Sequence, residues 1–97
     1  MLVDSPVRMI VMPKISEFFG ISIYIYYREH NPPHFHAIYA GEEVQIAIDT
    51  LAVLSGQIPP RGMGLVIEWA ETHKQELKAD WEKARSGQPL ANIEPLR

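Results

Sequence analysis

The sequence predicts an α+β domain: a small antiparallel sheet of three or four strands with one long C-terminal helix packed on one face. Three observations carry this. Residues 21–28 alternate apolar and polar side chains in steps of two, as a half-buried strand does. Two further β-type runs follow within twenty residues, close enough to pair as antiparallel hairpins. After Pro59-Pro60 the apolar spacing changes to steps of three and four, the period of an amphipathic helix.

Bulk properties limit the function classes. A chain of 97 residues is one small domain, which buries only about 60–65% of its unfolded surface. There is no cysteine, so neither a disulfide framework nor a thiolate zinc site can form. No run reaches the ~18 apolar residues of a membrane span, and Met1–Met12 lacks the pattern of a secretory signal. A cytoplasmic protein without membrane attachment is therefore expected. The net charge of −3, nine Lys plus Arg against twelve Asp plus Glu, weighs against a protein that grips a phosphate backbone.

Residues 1–11 read as an N-terminal extension and 12–97 as the single domain. Ser16-Glu17-Phe18-Phe19-Gly20 is expected to be a short turn whose aromatics plug one end of the core. In the first strand, Ile21–Arg28, the face of Ile21, Ile23, Ile25 and Tyr27 points inward, leaving Tyr24 and Tyr26 as a partly exposed aromatic strip. Asn31-Pro32-Pro33 must stop it, because proline donates no ladder hydrogen bond and restricts its predecessor. His34–Ala40 and Glu43–Asp49 form the next two strands around a Gly41-Glu42 turn, and Leu51–Leu54 can add a short fourth. The helix is expected from about Arg61 to Arg85. Its single stripe comprises Val66, Trp69, Ala70, His73, Leu77, Trp81 and Ala84, and Gly87 with Pro89 gives the stop.

The chemistry-bearing stretch is Glu29-His30-Asn31-Pro32-Pro33-His34-Phe35-His36, which holds three of the four histidines. Two apart on a strand, His34 and His36 leave the same face and can share a divalent metal, with His30, Glu29 or a carboxylate such as Asp49 as third ligand. The bland reading is that the rings hydrogen-bond carbonyls around the prolines and pack on Tyr26 or Phe35, with no cofactor bound. A catalytic reading uses His30, His34 and His36 as acid and base, with Arg28 stabilising a phosphate oxyanion. That would make a small nuclease acting on RNA, or a metal-dependent hydrolase. Tyr24, Tyr26, Asn31 and Trp81 are candidate partner-binding residues, Trp81 if the helix end overhangs the sheet.

Three blocks resemble a small bacterial family known as domain of unknown function 4160. They are Met12–Gly20, His30–Ala37, and Glu68-Trp69-Ala70 with His73, Leu77 and Trp81. The ending Ile93-Glu94-Pro95-Leu96 fits the same pattern. The resemblance implies no established activity and no catalytic residues. It does imply a protein partner encoded nearby, since members often occur in pairs that look like toxin–antitoxin modules. The expected function is thus a non-enzymatic, partner-binding component of such a pair, with self-association also open. The alternative is the nuclease or hydrolase centred on His30, His34 and His36. Direct DNA binding is disfavoured, because no helix-turn-helix is visible and the long helix is needed for the core.

Overall fold

A computed structural model describes residues 13–97, so the expected extension, 1–11, lies outside the described residues. Five antiparallel strands follow one another as a meander: β1 (Lys14–Phe18), β2 (Ile21–Tyr24), β3 (His34–Tyr39), β4 (Glu42–Ala47) and β5 (Val53–Gly56). Two helices complete the chain, α1 (Pro60–Thr72) and α2 (Lys74–Arg85). The α+β class stands as expected, with two corrections.

The sheet has five strands rather than three or four, and the added one is β1, where a turn was expected. Its register against β2 slips between Lys14 and Ser16, so Ile15 and Ser16 are buried in succession. Such a bulge puts two residues opposite one and breaks the period-two signal. The second correction is that the helical region is two helices rather than one. At His73 the backbone leaves helical geometry (φ −124°, ψ 22°), and its N–H donates to the Ala70 carbonyl, three residues back. The helix resumes when the Leu77 N–H donates to the His73 carbonyl. No glycine or proline marks this break. The buried set Val66, Trp69, Ala70 on α1 and Leu77, Trp81, Ala84 on α2 runs through it, so the two helices read as one stripe.

The core is the isoleucine face of β2 together with Phe35, Val44, Ile46 and Ile48, all fully buried. Trp69 of α1 closes it, with its ring centroid 5.3 Å from that of Phe18 and 6.1 Å from that of Phe35. Strand β2 ends at Tyr24 rather than Arg28, although Ile25 stays buried beyond it.

The tail after α2 is strapped to the body. The Trp69 Nε1–H donates to the Glu94 carbonyl, and the Ala91 N–H to Asp80 Oδ1, both at 2.8 Å. The Ile93 N–H donates to the Ile15 carbonyl at 2.8 Å, so the tail lies along β1. At the opposite edge no described strand pairs beyond β5, and all four of its residues are exposed. Gly56 is obligatory at the end of that strand. It has φ +75°, and a Cβ there would stand 2.2 Å from the Glu43 carbonyl oxygen.

Candidate functional site

His34 and His36 project from β3 on the side opposite the core residues Phe35 and Ala37. The 25–33 loop, with its cis Asn31–Pro32 bond, folds back over them. Arg28 sits in the left-handed region at φ 62°, a conformation that costs a non-glycine residue roughly 1–2 kcal/mol. Glu29 follows directly, and its carboxylate reaches both rings. Its Oε1 lies 2.8 Å from His36 Nε2 and 3.1 Å from His34 Nε2. One donor atom from each of Glu29, His34 and His36 lies within 4.8 Å of the other two.

The outer ring nitrogens are also held. His34 Nδ1–H donates to the Pro32 carbonyl at 2.8 Å, and His36 Nδ1 is in hydrogen-bond contact with Glu43 Oε2 at 2.6 Å. A carbonyl only accepts, so the His34 proton belongs on Nδ1 and the neutral ring presents a bare Nε2 inward. Among the described residues that buried nitrogen has no hydrogen-bond partner, although Glu29 Oε1 lies 3.1 Å away. His36 has a carboxylate at each nitrogen. Both contacts are satisfied together only by a doubly protonated ring, by a protonated carboxyl, or by a cation in place of one proton.

Aromatic rings wall the cluster. Tyr26 stacks on His36 with centroids 4.1 Å apart, and Trp81 of α2 lies 5.2 Å from His34. Burial raises the Tyr26 phenol pKa above its ordinary value, and the negative charges of Glu43 and Glu29 push it the same way. His34 and His36 are both buried, while the Glu29 side chain is 26% exposed, so the cluster meets solvent from the Glu29 side.

The other sequence candidates fall elsewhere. His30 is exposed and is not among the three converging residues, whose third member is Glu29. Arg28 is exposed, and its Nη2 lies 3.6 Å from where a Cβ on Gly87 would stand, toward the C-terminal end of α2. Asn31 is exposed and accepts from Arg85 Nη1 at 3.3 Å. Asp49 pairs with Lys78 at 3.0 Å. Tyr24 is half-buried, with its ring 6.0 Å from that of Tyr26. Trp81 is 1% exposed and packs inward, so it presents no surface in this monomer. His73 sits at the helix break with its ring 5.4 Å from Trp69 and Nδ1 2.5 Å from Glu76 Oε1, a structural role.

The sequence places Glu43 at the start of the third strand but does not single it out as part of the histidine site. The signal that finds it is the hairpin register: Ile38 pairs with Glu43, so Glu43 is the diagonal neighbour of His36 on one sheet face.

Among the described residues no helix is long and apolar enough to cross a membrane. No curated protein and no solved structure matches the chain. A family profile does, that of a domain of unknown function (DUF4160), over residues 20–82, which take in every residue of the Glu29–His34–His36 cluster and both its outer partners. With more than half of its length in that match, the chain belongs to the DUF4160 family.

Proposed function

We propose that this domain is a non-enzymatic partner-binding protein, the component of a toxin–antitoxin-like gene pair that engages the neighbouring gene's product in the cytoplasm. The observation that carries the reading is the β5 edge. Val53 and Leu54 are 51% and 43% exposed, and Val53–Gln57 contains no charge and no proline. Natural sheets usually blunt such an edge with lysine, proline or a covering segment. The tail lies along β1 at the other edge, while no described segment does the same for β5. An open, uncharged edge is a template for an added strand from a partner, or from a second copy of this chain.

The test is co-expression with the adjacent gene's product, followed by size-exclusion chromatography of wild type, Val53→Lys and Leu54→Lys. A complex formed by wild type and lost in both variants supports the reading. A complex that survives both substitutions moves the interface elsewhere, and no complex at all overturns it.

A second reading, a small hydrolase or nuclease, is favoured by the convergence of Glu29, His34 and His36. The purely acid–base version, with His30 and Arg28 in the site, fits this geometry less well, since both side chains are exposed outside the cluster. RNA would be a substrate only under this reading. Growth arrest on inducing wild type, absent with a folded Glu29→Gln variant, would support it. Equal growth of both would count against it.

A further inference from the structure

The geometry points to a divalent-metal centre formed by Glu29 Oε1, His34 Nε2 and His36 Nε2, of the kind that takes Zn2+, Co2+ or Ni2+. This inference is independent of the partner reading, because it concerns a different part of the fold.

The first argument is the conflict that the protein atoms leave among themselves. With its proton committed to the Pro32 carbonyl, His34 turns a bare nitrogen toward Glu29 Oε1 at 3.1 Å. Two acceptors then face each other, and among the described residues the buried His34 Nε2 is left without a hydrogen bond. Burying such a group unpaired costs about 1–3 kcal/mol. The same carboxylate oxygen lies 2.8 Å from His36 Nε2, so one atom is asked to serve two rings. Protons alone resolve this only by charging imidazoles or by protonating a carboxyl of the cluster. A single divalent cation accepts lone pairs from all three atoms at once.

The second argument is distance. Donors bound 2.0–2.2 Å from one ion stand about 2.8–3.5 Å apart in tetrahedral or octahedral geometry. The two separations from Glu29 Oε1, 2.8 and 3.1 Å, already lie in that range.

The third is the set of groups behind the ligands. A metal-bound histidine ordinarily donates its other N–H to a carbonyl or a carboxylate, which fixes the tautomer and aims the lone pair. Both forms are present, the Pro32 carbonyl behind His34 and the Glu43 carboxylate behind His36.

Donor chemistry sets the class of ion. Two imidazole nitrogens and one carboxylate suit borderline first-row cations, whereas Mg2+ and Ca2+ take oxygen ligands. Three protein donors leave at least one position open to water or to a group from another molecule, on the side where Glu29 meets solvent.

The experiment is titration of chelator-treated, full-length protein with ZnCl2 by calorimetry and with CoCl2 by visible absorption. The expected result is one ion per chain, with Co2+ ligand-field bands, and no comparable binding of MgCl2. Glu29→Gln and His36→Ala should lose stoichiometric binding, and His30→Ala and His73→Ala should keep it. Glu43→Gln should weaken it by about 10–100-fold, the usual effect of removing a partner behind a ligand. Melting curves of the metal-free variants check folding, and Glu29→Gln, altered on a partly exposed loop side chain, guards against misreading a collapse at buried His36. The inference is overturned if wild type binds no ion. It is equally overturned if folded Glu29→Gln binds like wild type, or if the loss follows His30 or His73, which would mark adventitious surface chelation.

Discussion

Gly62 and Gly64 sit two residues apart in α1, and only at Gly64 should replacement with alanine stabilise the fold. In an exposed helix interior, glycine costs about 1 kcal/mol relative to alanine, because the unfolded chain loses more freedom on folding. Among the described residues nothing lies within 4 Å of the place a Gly64 Cβ would take, so Gly64→Ala should stabilise by roughly that amount. At Gly62 the same Cβ would stand 2.3, 2.7 and 3.1 Å from Cδ2, Cε2 and Cγ of Tyr39. The Cγ contact lies at the root of the ring, so rotation about the ring axis gives no relief. The ring itself must move, and overpacking of this kind costs about 1–3 kcal/mol. Net of the helix-propensity gain, Gly62→Ala should be neutral to destabilising by about 2 kcal/mol. The two variants should then differ by about 1–3 kcal/mol, or a gap in Tm of roughly 4–24 °C at 4–8 °C per kcal/mol for a domain of this size. Urea and thermal unfolding of both, with wild type, read this directly. Gly62→Ala as stabilising as Gly64→Ala would refute the close Tyr39–α1 packing and with it the way α1 docks on the sheet.

Three further outcomes follow from the tail and its anchors. Trp69→Phe removes the donor to the Glu94 carbonyl and part of a buried ring, so it should cost about 1–3 kcal/mol and speed amide exchange at Ile93. Asp80 is buried, and burial is the main cause raising its pKa above 3.8. The folded state therefore binds the proton more tightly than the unfolded state, and the charged carboxyl costs stability above the folded pKa but not below 3.8. Asp80→Asn keeps the acceptor for the Ala91 N–H, so its unfolding free energy relative to wild type should be most favourable at neutral pH. That advantage should fade as the pH falls through the carboxyl range, and a pH-independent difference would contradict it. Phe35→Ala, at a fully buried position against Trp69, should cost about 3–5 kcal/mol in chemical denaturation.

What the sequence disclosed depended on whether local pattern and tertiary structure agreed. The alternation of Ile21, Ile23 and Ile25 is legible because each side chain in turn enters one core, and the structure buries all three. β1 was hidden because its bulge buries Ile15 and Ser16 consecutively, which erases the period of two. The helix break at His73 was hidden for the opposite reason. The apolar stripe continues through it from Trp69 to Leu77, and neither glycine nor proline signals the stop. For the cluster, the two-residue spacing of His34 and His36 was readable, and Glu29 stood among the third-ligand options. Choosing Glu29 over His30 needed the path of the 25–33 loop, set by the left-handed Arg28, and a single sequence does not encode that visibly. Glu43 needed the hairpin register, a long-range fact of β3 and β4 together.

The convergence of Glu29, His34 and His36 can be read most directly by long-range 1H–15N correlation NMR of the four histidine rings, before and after one equivalent of zinc. In the metal-free protein His34 should carry its proton on Nδ1 and show a bare Nε2, as its bond to the Pro32 carbonyl requires. Zinc should then move the Nε2 resonances of His34 and His36, leaving both rings protonated at Nδ1 and those of His30 and His73 unchanged. A His34 ring protonated on Nε2 alone, or zinc-induced shifts confined to His30 or His73, would contradict the arrangement and the metal centre built on it.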